Sequence, residues 1–131
     1  MLPESSRLRY AFLLLKRGDA RARALIEDAE SRARARIAAG DLAYTTFMDV
    51  AVARALLGDA KSALDGLQRA YDSGWRDYGI AAIDPMLASL RDDPGFRSLL
   101  DRARRDVAAQ RDRARERGLL DLAALIGKPL P

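Results

Sequence analysis

Residues 44–75 read YTTFMDVAVARALLGDAKSALDGLQRAYDSGW, and the Leu57-Gly58-Asp59 step in their middle decides the fold. Ahead of it, Phe47, Val50, Ala51 and Arg54 recur at the spacing that lines one side of an α-helix; behind it, Ala63, Leu64, Leu67, Ala70 and Tyr71 do the same. Glycine takes the left-handed conformation that closes a helix, and the aspartate after it accepts hydrogen bonds from the free N–H groups that open the next. The stretch therefore predicts two helices joined by a tight turn, each burying one side against the other.

Working outward, the same Gly-Asp step recurs at Gly18-Asp19 and Gly40-Asp41 and cuts the first half of the chain into Ala/Leu/Arg-rich blocks. The first block, capped by Ser5 or Ser6, places Leu8, Ala11, Phe12 and Leu15 on one stripe, and the block from Asp19 to Ala39 places Leu25, Ile26, Ala29, Ala33 and Ile37 on another. Past Ser73 the texture shortens. Asp84-Pro85 and Asp93-Pro94 each set an N-cap acceptor before a proline at the first helical position, where a missing N–H does no harm. The first opens a short helix to about Arg91, the second a long one to about Arg117, closed by Gly118. The apolar seam of that long helix thins toward its end, so its last turns either project into solvent or rest on another chain. The expected order is one domain over 1–131: a first hairpin (5–39), a second (41–73), short capping helices (74–92), a long C-terminal helix (93–117) and a tail (118–131).

Composition supports an all-α class and narrows the chemistry. The 131 residues are 49% hydrophobic, enough for one real core. No stretch alternates apolar and polar long enough for a strand. There is no cysteine and no histidine, which removes thiol chemistry, the usual general base near neutral pH and the commonest metal ligand. Ser62, Ser73 and Ser98 have no partner in a recognisable nucleophile motif, and Asp92-Asp93 reads as a helix cap beside a solvated neighbour rather than a metal site. No catalytic residue, metal ligand, cofactor or small-molecule substrate is assigned. Between Phe96 and Gly118, eight arginines face four acids and account for the whole net charge of +4. Phosphate-backbone binding needs such a surface, usually with a recognition element or stacking aromatics beside it, and none is visible. The start of the sequence and the lack of a long apolar run predict a soluble chain without membrane insertion, its compartment open.

Tyr44 through Trp75 resembles a tetratricopeptide repeat. Phe47, Val50 and Ala51 match the large, aliphatic and small positions of its first helix, Leu57-Gly58-Asp59 its turn, and Ala63, Leu67 and Ala70 the small, large and small positions of its second. Arg54 stands where the family prefers tyrosine, and Trp75 where it ends on proline. The segment from Tyr71 to Tyr78, followed by Asp84 to Phe96, is similar to the segment that closes tetratricopeptide arrays at the C-terminal end of bacterial multidomain regulatory proteins. The resemblance covers residues 7–110 and implies a superhelix of antiparallel hairpins that presents a groove to a protein or peptide.

Carried onto this sequence, the groove positions of the family are Leu8, Phe12, Leu15 and Lys16 from the first hairpin and Thr45, Met48, Val52 and Ala55 from the second. That lining is mostly apolar. The subfamily that grips a terminal carboxylate uses basic and asparagine side chains where Met48, Asp49 and Val52 stand here, which disfavours a chaperone-tail clamp. The competing reading is that Phe12, Met48 and Val52 pack against other helices, the C-terminal one included. Trp75, Arg76 and Tyr78 form a second candidate surface, of the composition favoured at interface hot spots; the competing reading has them seal the end of the array. The expected function is a non-catalytic protein-interaction module. The alternatives are homo-oligomerisation through the C-terminal helix, giving a monomer or weak homodimer, and weak nucleic-acid contact by the Arg-rich face.

Overall fold

The computed structural model describes residues 2–127, so positions 128–131 of the expected tail lie outside the described residues. It is all-α. Helices α1 (Glu4–Lys16), α2 (Ala22–Ala38), α3 (Tyr44–Leu56) and α4 (Ala60–Asp72) pack in succession, each against the next. A short α5 (Tyr78–Ile83), a 3-10 helix (Pro85–Leu90) and a long α6 (Pro94–Ile126) follow. No strand occurs among the described residues.

The turns form as the Gly-Asp steps predict. At Gly58, φ is +80°, a region closed to most side chains, and its N–H donates to the Ala55 carbonyl while the next N–H, of Asp59, donates to Arg54. The same two-bond closure recurs at Gly18, Gly40 and Gly74. Asp59 then caps α4 by accepting from the Ser62 N–H. Asp19 and Asp41 act one step earlier, accepting from the Arg21 and Ala43 N–H groups, so α2 and α3 begin three residues after their aspartates. Asp84 caps the 3-10 helix through the Met86 N–H, and Asp93 caps α6 through the Gly95 and Phe96 N–H groups.

Three expectations are corrected. Helix α1 starts at Glu4 with Pro3 at the N-cap, and neither Ser5 nor Ser6 caps it. Its buried stripe is Glu4, Leu8, Ala11 and Leu14, so Leu15 turns outward. Gly118 does not close α6, which runs on to Ile126 and reaches a left-handed glycine only at Gly127. Leucines rather than a capping residue or proline stand directly after Gly118, and the leucines and alanines there favour helix, so the roughly 1 kcal/mol cost of a mid-helix glycine is not enough to stop it.

Helix α3 is central. Thr46, Phe47, Val50, Ala51, Val52, Ala53 and Ala55 are all buried, because α2 and α4 cover its flanks and the 3-10 helix covers the side that remains. Around it Leu8, Ile26, Leu67, Leu87, Leu90 and Phe96 are fully enclosed. Two carboxylates are buried in this apolar setting, and each has an arginine. Glu4 pairs with Arg36 at 2.8 Å, tying the start of α1 to the end of α2. Glu30 receives both arms of the Arg54 guanidinium, one at 2.6 Å, with Arg34 adding a third contact at 3.2 Å. Arg54 therefore joins α2 to α3. Removing one partner of a buried pair leaves a desolvated charge, so Arg54→Leu should lower the unfolding free energy by about 2–4 kcal/mol, while Arg54→Leu with Glu30→Leu should recover most of it; urea unfolding of both variants checks this.

The hairpin α3–α4 closes on very small side chains. A Cβ built at Gly66 would lie 3.0 Å from the Ala51 Cβ and 3.1 Å from its Cα and N, atoms that cannot rotate away. Gly66→Ala should therefore destabilise by about 1–3 kcal/mol despite the better helix propensity of alanine, measured by denaturant midpoint at unchanged slope.

Candidate functional site

On the side of α3 where the resemblance implies a groove, the capping segment folds in. Ser89 Oγ donates to the Ala55 carbonyl, and Met86, Leu87 and Leu90 of the 3-10 helix are buried in the core. Three hollows remain along the join. The first, of about 340 Å³, is lined by Thr45, Met48 and Asp49 of α3 together with Asp77, Ile80 and Asp84. The second, of about 420 Å³, shares Ile80 and Asp84 with it and adds Arg9, Phe12, Leu13, Ile83 and Met86. The third, of about 390 Å³, shares Phe12 and Met86 with the second and ends at Leu15, Lys16, Ala55 and Ser89. Common walls make the three one furrow.

Of the groove positions carried from the sequence, Phe12, Leu15, Lys16, Thr45, Met48 and Ala55 line this furrow. Leu8 and Val52 do not present a surface: they are 1% and 7% exposed and belong to the core. Ala55 is reached only at its edge, being itself buried. The 3-10 helix of the capping segment packs on α3, where Val52 and Ala55 stand, and Leu8 lies in the same core. The sequence reading missed Leu13, Ile80 and Ile83, which stand 57%, 66% and 74% exposed on the rim of the middle hollow. Ile80 and Ile83 are three apart in α5, and that spacing was the available signal.

The second candidate surface is corrected. Trp75 is buried, and Arg76 lies over the Tyr71 ring at 4.0 Å, donates to the Tyr71 and Trp75 carbonyls at 2.7 Å and pairs with Asp106 at 3.2 Å. Tyr71 donates its hydroxyl to the same Asp106 carboxylate. These groups fasten α6 to the end of α4; the half-buried Tyr78 lines a shallow hollow against α6, and the buried Trp75 forms part of the floor of the first hollow of the furrow. A larger hollow of about 500 Å³ between α2 and α4 is walled mainly by polar side chains such as Arg34, Asp65, Gln68 and Arg69.

The furrow is acidic at one end. Arg36 is engaged by Glu4, and among the described residues Asp49, Asp77 and Asp84 have no ion-pair partner. Burial, and then the neighbouring Glu4 charge, push the Asp49 carboxyl up to about 6, with Arg36 opposing. A carboxyl raised in the folded state costs stability once it ionises, so the cost is absent below the ordinary aspartate range and complete above about pH 6.

Helix α6 offers the other exposed feature. From Ala108 to Gly127 every side chain the structure describes is exposed, so the rod leaves the body for roughly 27 Å at 1.5 Å per residue. Leu119, Leu122 and Ile126 are half exposed on it, at helical spacing with Arg111 and Arg115. Arg113 and Arg117 lie on the other side of the rod, and Asp112 and Glu116 between, so the cations form no single stripe. Among the described residues there is no cluster of three or more carboxylate, histidine or cysteine side chains able to hold a metal ion, and no helix is long and apolar enough to cross a membrane.

No family model, curated protein or solved structure gives a significant match to this chain.

Asp49→Asn, which removes the ionising group but keeps the shape, should leave stability unchanged near pH 4 and raise it at pH 7–8 by about 1 kcal/mol after allowance for solvent screening. Unfolding free energies of both proteins across that pH range check the sign.

Proposed function

We propose that the chain is a non-catalytic helical-repeat module of the tetratricopeptide type that holds an amphipathic helix or peptide in the furrow between α1, α3 and the capping segment. One observation carries the reading: three hollows that share walls, with Leu13, Ile80 and Ile83 held out to solvent along them by buried neighbours. A contiguous apolar strip with a polar rim is the usual composition of a peptide groove. Burying the strip supplies the affinity, at roughly 25 cal/mol per Å² of apolar area removed from water. The aspartates at one end and Lys16 at the other select the direction in which a charged helix lies.

Selection of displayed helical peptides on the immobilised chain tests the proposal. Peptides that bind are expected to be amphipathic and to lose at least about tenfold in affinity, near 1.4 kcal/mol, on Leu13→Glu with Ile80→Glu, two exposed positions whose change leaves the helical circular dichroism intact. Binding that ignores those substitutions, or a selection that yields no furrow-dependent peptide, rejects the surface.

A further inference from the structure

We infer that the occupant of the furrow is the end of α6 from a second copy of this chain. The inference rests on the furrow reading above and deepens it by naming the partner. The furrow runs from an acidic hollow, with Asp49, Asp77 and Asp84, into a mainly apolar one, where Leu13, Ile80 and Ile83 stand with Asp84 at the shared end and the exposed Arg9 on the α1 side. One side of α6 carries the complementary order. Arg111 and Arg115 come first and Leu119, Leu122 and Ile126 follow, at steps of four, four, three and four residues that keep all five on one face. Laid along the furrow, the arginines meet the three aspartates while the leucines and isoleucine enter the apolar hollow. The C-terminal end of the helix, with its partial negative charge, then points toward Lys16.

The arm belongs to another molecule because its own furrow is out of reach. Helix α6 is anchored to α4 and α5 by its first half and continues unbroken through Gly118, so its end is carried away from the body. Pairing of two α6 arms with each other suits the sequence less well, since side by side in parallel they would oppose Arg111 and Arg115 to their own copies and in antiparallel would set arginine against leucine. Each copy owns one arm and one furrow, so an exchange between two copies uses both twice and gains from the linkage of the two contacts.

The test is sedimentation of the full chain from micromolar to near-millimolar concentration. The wild type should associate, and more weakly as salt is raised, because aspartate–arginine contacts are screened. Leu119→Glu with Leu122→Glu on the arm, and separately Ile80→Glu with Ile83→Glu on the furrow, should each weaken association at least about tenfold; all four side chains are exposed, so the fold tolerates the changes. Mixing the two variants should restore a hetero-association, in which the intact arm of one enters the intact furrow of the other. A wild type that stays monomeric throughout overturns the inference, as does association that the arm substitutions abolish and the furrow substitutions leave unchanged, the signature of arm-to-arm pairing. A monomer whose furrow still takes a selected peptide removes only the second-copy occupant; a monomer whose furrow takes none removes the peptide-groove reading as well.

Discussion

Helix α3 must be covered on nearly every side, and most of the architecture follows from that demand. A helix apolar almost all round is stable only when buried, and the first hairpin and α4 enclose α3 on its flanks alone. The exposed remainder, Val52 and Ala55 included, is what draws the 3-10 helix back across it. Once Met86 and Leu87 sit there, Ile80 and Ile83 are left standing at the rim, and the open trough of a bare helical array becomes a narrower furrow. The capping segment thus closes the core and shapes the candidate site in one step.

The buried charges serve the same arrangement. Glu4 with Arg36 and Glu30 with Arg54 join helices that are neighbours in sequence, and each pair is satisfied only in one register of the hairpins. Ion pairs of this kind add little net stability over apolar residues of similar volume, but a slipped register loses them: Glu4 would be buried without its arginine, and Glu30 would keep only the single contact from Arg34 of its own helix. Their placement at α1–α2 and α2–α3 complements the α3–α4 contact, where registration comes instead from the fit of Gly66 on Ala51.

Much of the fold was legible from the sequence because its signals are local. Gly18, Gly40 and Gly58 mark helix ends by backbone chemistry, and Asp59, Asp84 and Asp93 mark starts by side-chain hydrogen bonds that reach only two or three residues. What was not legible depends on distant partners. An apolar stripe looks the same whether its cover is the same chain, as for Leu8 and Val52, or absent, as for Leu13. Arg54 looked like a departure from a repeat pattern until Glu30, 24 residues earlier, supplied its reason. Gly118 misled because a glycine ends a helix only when a cap or a breaker follows, and here leucine does.

The identical closures at Gly18, Gly40, Gly58 and Gly74 have a thermodynamic corollary. Each turn satisfies its own backbone groups without help from elsewhere in the molecule, so cohesion between the helices rests on their packing, chiefly of each on the next, with the 3-10 helix folded back on α3. Local stability then follows how many buried contacts hold each element. Helix α1, at the open end, is held chiefly by α2, whereas α3 is gripped from three sides. The molecule is therefore stiff toward the cap and soft toward its amino terminus, a gradient along which the α1 wall could peel away as a unit while the central helices stay assembled.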